Sequence, residues 1–382
     1  MKEIKTEILI IGSGLVGLVA AHAFSALKYD VTVVEKKNIS NQKNSFKDTR
    51  TVAVSEGSKR FLDNLNLWKL LDPYAESIKK INVYDRYPNN KIIFENKRQN
   101  EKLGYVIENN KFSNVLFNNL KKFKNTKVLF GQNIKKINIK ENFSTIPLEN
   151  CNIKSKLIIA ADGKNSNIKK IVGNKTFNKF YPENALVVNL THENSLNNTA
   201  YEIFYKSGPL AILPMKNHSN QKFKSSIVWS HSNDFINSLN SCDDSFLCKI
   251  IDEKTYDYIG HVKKIIKKKV FKLSAHLNTS IAKNRVIYVG DSAHSIHPIA
   301  GQGWNLGIRD SECLQKILIE TLGLGIDIGS KFVMKKYNDK RHFDMLSLYQ
   351  ITDKFNFIFS KDDLISKSLR GAGFEIINAN PT

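Results

Sequence analysis

The sequence predicts an α/β protein in which a doubly wound lobe carries an inserted, mainly antiparallel β-sheet lobe and ends in C-terminal helices. Three observations predict it. A strand, a glycine-rich turn, a helix and a second strand open the chain between Glu7 and Val34. Two further apolar runs, Leu157 to Ala161 and Arg285 to Val289, lead into Asp162-Gly163 and Gly290-Asp291 far downstream. Between them, Ala185 to Ser230 reads as consecutive antiparallel strands.

The chain has 382 residues, which suits two lobes sharing a core, and its 41% apolar content excludes disorder as the default. The formal charge of +22 is carried mostly by Lys, spread along the chain among many Asn. Composition alone accounts for it first, an anionic lipid surface comes next, and nucleic acid ranks last because basic and aromatic residues do not alternate. The densest run, Lys263 to Lys269, is expected to be a solvated helix face. Cys151, Cys242, Cys248 and Cys313 form no CxxC pair, so neither zinc nor a disulfide framework is indicated and a reducing cytoplasm fits best. Ile8 to Leu27 is long enough to suggest a membrane span, but spaced glycines interrupt it and a second strand follows.

In chain order, EILII (Glu7 to Ile11) is a short run of the kind buried in a parallel sheet. Leu15 to Leu27 has helical composition and VTVV (Val31 to Val34) is the second strand, a strand-helix-strand unit that implies a doubly wound sheet. From Ile78 to Glu95 the pattern turns β-like around Tyr87-Pro88-Asn89-Asn90, a hairpin signal. Asn110 to Phe123 is helical, Lys127 to Phe130 strand-like, and LIIAA (Leu157 to Ala161) another buried strand. ALVVNLTH, TAYEIFY, GPLAILPM and SSIVWS can form a half-buried sheet over a pocket. RVIYV (Arg285 to Val289) restores the buried pattern, and helix-like sequence follows through Tyr337.

Gly12-Ser13-Gly14-Leu15-Val16-Gly17 follows a strand and opens a helix. Gly12 serves the tight turn, Gly14 lets backbone approach a pyrophosphate, and Gly17 lets the helix lie close to the sheet. The helix start offers unpaired N–H groups to phosphate. Glu35, followed by Lys36, ends the second strand where an acid accepts hydrogen bonds from ribose hydroxyls. This motif points to a dinucleotide without separating NAD from FAD.

The downstream sites carry the distinction. With Pro298-Ile299-Ala300-Gly301-Gln302-Gly303-Trp304-Asn305, they resemble the class A flavoprotein hydroxylases, which carry GxGxxG, DG and GD motifs. DTRTVAVS from Asp48, LGYVIEN from Leu103, AADGKNS from Ala160, SGPLAILPM from Ser207 and GDSAHSIHPIAGQGWNLGIRD from Gly290 are similar to the ubiquinone-biosynthesis branch of that group.

The resemblance implies FAD as cofactor, NADPH or NADH as co-substrate, and hydroxylation of a polyprenylated phenol by O2 through a flavin hydroperoxide. It implies that Asp291 holds the flavin ribityl hydroxyls and that the Gly301 to Asn305 backbone faces the pyrimidine end of the ring. It places Arg50 near the flavin and its pyrophosphate, Asn109 as a polar flavin contact, and Asp162-Gly163 beside FAD and the nicotinamide cofactor. A cytoplasmic protein peripherally associated with the inner membrane follows, with other ubiquinone-biosynthesis proteins as a further partner class. Trp304 departs from the aliphatic residue usual in the family and is expected to narrow the approach to the flavin.

The resulting division assigns 1–75, 101–178 and 275–345 to a Rossmann-like FAD-binding lobe, 76–100 and 179–274 to a substrate lobe, and 346–382 to a C-terminal helical segment. His294 and His297 form an HxxH, but Pro298 and the glycines break any helix that would align them, so no metal is expected. No catalytic acid or base is named by the residues alone. A flavin monooxygenase for a small soluble aromatic acid, a nucleic-acid-binding flavoprotein and a redox-silent FAD scaffold remain open.

Overall fold

The computed structural model describes residues 2–38, 48, 50–85, 91–96, 101–217, 223–297, 299–361, 363, 368 and 370. The hairpin residues Tyr87-Pro88-Asn89-Asn90 lie outside this set, as does Pro298. The chain opens with β1 (Lys2–Ile11), α1 (Leu15–Ala26) and β2 (Val31–Glu35). Next come β3 (Thr51–Ser55), α2 (Glu56–Asn64) and the single turn α3 (Trp68–Leu71). Strands β4 (Glu76–Ile78), β5 (Lys80–Asp85), β6 (Lys91–Glu95) and β7 (Gly104–Glu108) precede α4 (Asn109–Leu120) and β8 (Thr126–Phe130). Then follow β9 (Asn138–Ile139), β10 (Ser144–Pro147), β11 (Cys151–Ala160) and α5 (Asn167–Val172). A long β block holds β12 (Thr176–His192), β13 (Thr199–Tyr205), β14 (Gly208–Pro214) and β15 (Phe223–Ser232). Helices α6 (Asn233–Ser241) and α7 (Asp244–Ile259) lead to β16 (Val262–Asn278), β17 (Ala282–Lys283), β18 (Val286–Tyr288) and β19 (His294–Ser295). Helices α8 (Gly303–Leu322) and α9 (Lys331–Ser360) close the described elements.

The first sheet runs β17-β18-β11-β1-β2-β8, and its central pairs β18-β11, β11-β1, β1-β2 and β2-β8 are parallel. Burial on both faces explains its uninterrupted apolar strands: Ile8, Leu9 and Ile10 have no exposed surface, and burying each such side chain contributes about 1.5–3 kcal/mol. The second sheet runs β19-β16-β12-β15-β14-β13-β5-β6 and is antiparallel except for the parallel β13-β5 pair. One face packs on α6 and α7 through Leu186, Ile203, Ile212, Trp229, Leu239 and Ile251. A small sheet, β3-β7-β4, completes the fold.

One expectation is corrected. Lys263 to Lys269 is not a helix face but part of β16, paired antiparallel with β12. Over these residues β16 is an edge strand among the described elements, and lysines on an exposed edge oppose pairing with another chain.

Candidate cofactor site

Two glycines set how closely α1 approaches the sheet. At Gly12, φ is +106° and an added Cβ would stand 2.3 Å from the Ala161 carbonyl oxygen; at Gly17 it would stand 2.2 Å from that of Gly12. The turn is therefore wedged against the end of β11, beside Asp162. Gly14 differs: its φ of −65° is open to any residue, and a Cβ there would meet none of the described residues within 4 Å. Gly14 is also the N-cap of α1, with no side-chain cap and no acid in the first turn. The N–H groups of that turn consequently face the open side of the turn with their dipole uncompensated.

Glu35 closes this turn from β2. Its Oε2 accepts from the Ser13 N–H and hydroxyl, each at 2.8 Å, and its Oε1 from the Lys37 N–H at 2.9 Å. Lys36 is exposed beside it, and Leu15 packs on the core. Val16 lies under the other motif: a Cβ on Gly290 would stand 3.1 Å from Val16 Cγ2, and one on Gly307 of α8 would stand 2.9 Å from Val16 Cγ2 and from Gly290 Cα. Glycine-scale contacts thus draw α1, the 290–292 turn and α8 together.

That turn is stitched down on its inner side. The Ser292 hydroxyl donates to the Ala160 carbonyl, and the Gly290 N–H donates to Asp310 Oδ2 at 2.9 Å. Asp310, fully buried on α8, also accepts from His294 Nε2 at 2.6 Å and Arg341 Nε at 2.8 Å. Burial works to raise its carboxyl, but the His294 and Arg341 charges outweigh it and hold Asp310 below the usual range. Asp291 points outward, exposed, and its charge acts on Arg50, Lys164 and Lys169. Burial lowers both lysines from their ordinary value, with Asp291 opposing.

Arg50 is held by Asp48, its Nε 3.0 Å from Oδ1 and Nη2 2.7 Å from Oδ2, with the guanidinium 5.4 Å from the Phe271 ring centre. Asn109 Nδ2 reaches Asp48 Oδ2 at 3.4 Å, leaving Asn109 Oδ1 buried without a partner among the described residues. Asp162 accepts the Ile168 N–H at 3.3 Å through Oδ2, while Oδ1 is buried and unpartnered; burial raises its carboxyl. Gly163, at φ +81°, faces open space.

Helix α8 presents a second uncapped N-terminus, since its N-cap Gln302 makes no side-chain cap and no acid occupies the first turn that begins at Gly303. Gly301 sits at φ +61° with Ala53 Cβ 3.3 Å from where its own Cβ would be. Asn305 fastens this end to β3 and α2: Oδ1 accepts from the Ser55 N–H at 3.0 Å and the Ser58 hydroxyl at 2.8 Å, and Nδ2 donates to the Ala53 carbonyl at 2.9 Å. The Asn305 side chain is therefore spent on the fold. The Trp304 indole packs on Phe112 of α4 with ring centres 5.2 Å apart, its N–H buried and unpartnered. His294 is committed to Asp310, and the His297 ring stands edge-on to Tyr181 at 4.8 Å. Among the described residues no group of three His, Cys, Asp or Glu can hold a metal.

These residues fit a dinucleotide. Two uncapped helix starts offer N–H groups to phosphate and to an anionic ring edge, open space lies over Gly14 and Gly163, and Glu35 and Asp291 offer carboxylates to sugar hydroxyls. Sequence reading missed Asp48, Lys164, Lys169 and Asp310, which are joined to the motifs only through space.

Fold and site together define a two-lobed dinucleotide-binding protein with a sheet facing its cofactor groove. The chain belongs to the FAD binding domain family, whose model matches residues 5–343, and its cofactor is FAD. Ubiquinone hydroxylase UbiL of Rhodospirillum rubrum is 27% identical over 357 residues, covering 93% of this chain and 82% of that protein. Ubiquinone hydroxylase UbiM of Neisseria meningitidis is 24% identical over 376 residues, covering 97% and 80%. Among solved structures, Pseudomonas aeruginosa PqsL in complex with 2-aminobenzoylacetate shares the fold with a TM-score of 0.81 at 15% identity, covering 98% of this chain and all of that one.

Proposed function

We propose that this chain is an FAD-dependent monooxygenase that hydroxylates the aromatic ring of a polyprenylated phenol in ubiquinone biosynthesis, with NADPH or NADH and O2 as co-substrates. The observation that carries the reading is the likeness, over more than nine-tenths of the chain, to proteins named ubiquinone hydroxylases. The lobe division of 1–75, 101–178 and 275–345 against 76–100 and 179–274, with 346–382 as a helical tail, belongs to the proposal.

When bound, FAD accepts hydride and activates O2. The chain supplies the rest. In this reading the first-turn N–H groups of α1 bind the pyrophosphate, Glu35 accepts the adenosine ribose hydroxyls, and Asp291 accepts the ribityl hydroxyls. The N-terminus of α8 stabilises negative charge at the pyrimidine edge of the ring. The second sheet excludes water above it. Its cofactor-facing surface carries Val83, Ala211, Val228 and Val187 in one row, hydrocarbon suited to an oily substrate. The acid in that row, Glu202, opposes a substrate that carries its own carboxylate.

Peripheral contact with an anionic bilayer is part of the same proposal. Net charge +22 and Phe180 and Phe343, 79% and 77% exposed, supply attraction and apolar insertion. Among the described residues no helix is long and apolar enough to cross a membrane.

Quinone profiling of a strain lacking this gene tests the function. The expected result is accumulation of a prenylated phenol one hydroxyl short, reversed by restoring the gene. Normal quinone with no such precursor overturns the reading.

A further inference from the structure

Glu202 of β13 sets one carboxyl on the cofactor-facing side of the second sheet. Along β13, Tyr201, Ile203 and Tyr205 belong to the cluster beneath α6 and α7. Strand alternation then sends Ala200, Glu202 and Phe204 to the opposite face. That face meets the cofactor lobe on both sides of Glu202. Ala200 packs with Ile78 of β4 and Val106 of β7, and Phe204 packs with Ile299, just before α8. Further along the same face, Phe271 lies against the Arg50 guanidinium.

Across the strands, register sets Glu202 in the row Ile92, Val83, Glu202, Ala211, Val228, Val187, where it is the single acid among aliphatic side chains. Its side chain is half-buried, and burial in this apolar setting raises the carboxyl from 4.5 to about 7, with no charged neighbour among the described residues contributing. The charges nearest on packed elements are engaged or remote. Asp85 on β5 accepts from Arg370 Nε at 2.9 Å, Glu108 on β7 pairs with Lys224 of β15 at 2.7 Å, and Glu76 on β4 accepts from Asn198 at 2.8 Å. Lys269 sits at the far end of the row on β16.

We propose that Glu202 accepts the proton of the substrate's phenolic hydroxyl. This rests on the aromatic-hydroxylase reading above and deepens it. The phenolic O–H bond breaks, its electron pair stays on the phenolic oxygen, and the proton bonds to a Glu202 carboxylate oxygen. The electron-rich phenolate then directs electrophilic hydroxylation to its ring carbons. The proton held by Glu202 ends in the water formed from the second oxygen atom of O2, which returns the carboxylate. An ordinary carboxylate is a poor base for a phenol whose own value is about 10, and raising it toward working pH narrows the gap. The row of valines serves the same step, since apolar neighbours limit the water that reaches the acceptor.

The test uses FAD-loaded enzyme and a short-chain prenylated phenol, with phenol-dependent kcat followed across pH. The wild type is expected to lose kcat on acidification through about 7. Glu202→Gln is expected to retain FAD, lower kcat about 10²–10⁴-fold, change KM little and abolish the acid limb, while Glu202→Asp recovers part of the rate. A Glu202→Gln enzyme with wild-type kcat and the same acid limb overturns the proposal. If that variant does not fold, wild-type holoenzyme decides with the same prenylated phenol at about pH 8, where the free phenol still holds its proton and Glu202 is ionised. Phenolate absorption is expected to rise with no proton released to an indicator dye, because Glu202 takes it; release of one proton per phenol bound overturns the assignment. Wild-type enzyme that hydroxylates no phenol refutes the functional reading itself, a result distinct from either outcome for Glu202.

Discussion

Substituting Gly14 by Ala separates cofactor binding from folding. At φ −65° the backbone accepts Ala without strain, and the added Cβ meets none of the described residues within 4 Å. Losing Gly at an N-cap costs several tenths of a kcal/mol, offset by the smaller entropy of the unfolded chain, so the apoprotein should stay within about 1 kcal/mol of wild type. A pyrophosphate hydrogen-bonded to the first turn of α1 would instead meet the methyl directly. Overpacking of that kind costs about 1–3 kcal/mol, or roughly 5- to 150-fold in FAD affinity. Gly17→Ala makes the contrast. Its Cβ would stand 2.2 Å from the Gly12 carbonyl oxygen, so the helix must shift and the apoprotein itself must weaken. Urea denaturation of the apoproteins and FAD titration by quenching of flavin fluorescence measure the two quantities separately. If Gly14→Ala binds FAD as wild type does, or destabilises the apoprotein as much as Gly17→Ala, the pyrophosphate is not where the open turn places it.

Two further outcomes concern buried carboxyls. Asp310→Asn leaves Arg341 and the Gly290 N–H facing a neutral partner, and breaking a buried pair of this kind costs about 3–5 kcal/mol by urea denaturation. Because Asp310 is held below its ordinary value, its contribution is present above the unfolded value of about 3.9 and is lost as pH falls through the folded one. Wild type should therefore weaken on acidification below about pH 4 more steeply than Asp310→Asn, and equal slopes would contradict this. Glu202 carries the opposite sign. Its raised value means the native state holds an extra proton between 4.5 and about 7, so stability falls as pH rises through that window. Glu202→Leu should remove the decline and gain at most ~3 kcal/mol at pH 8, less the share screened by the water it still touches.

The opening strand, turn, helix and acid were legible because each signal is local: EILII, the spaced glycines and VTVV need no partner to be read. Lys263 to Lys269 misled because an edge strand rich in Lys lacks the apolar alternation that marks a strand. What makes it one is pairing with the stretch from Thr191 back to Val187, where Lys264 meets Thr191 and Lys269 meets Val187 far upstream in the chain. The small β3-β7-β4 sheet escaped notice for a related reason, as TVAVS and GYVIE pair although 48 residues separate them in the chain. Asp310 reads in sequence as one more polar position on an amphipathic helix. It becomes a hub because Arg341 arrives from the next helix and Gly290 from the strand end opposite.

The same contrast separates cofactor from substrate. The groove is built largely from backbone, where Gly12, Gly17, Gly290 and Gly307 permit contacts that any side chain would block, so its chemistry is written as motifs. The facing sheet acts through side chains assembled by register: Val83, Glu202, Ala211, Val228 and Val187 come from five strands and form no motif in the chain. A change in substrate therefore requires only altered side chains on that row, with the groove and its glycines untouched. On the proposed function, discrimination between a prenylated phenol and a smaller aromatic belongs to these positions, and exchanging Ala211 or Val228 for a larger residue should act on KM for the phenol while FAD affinity stays constant.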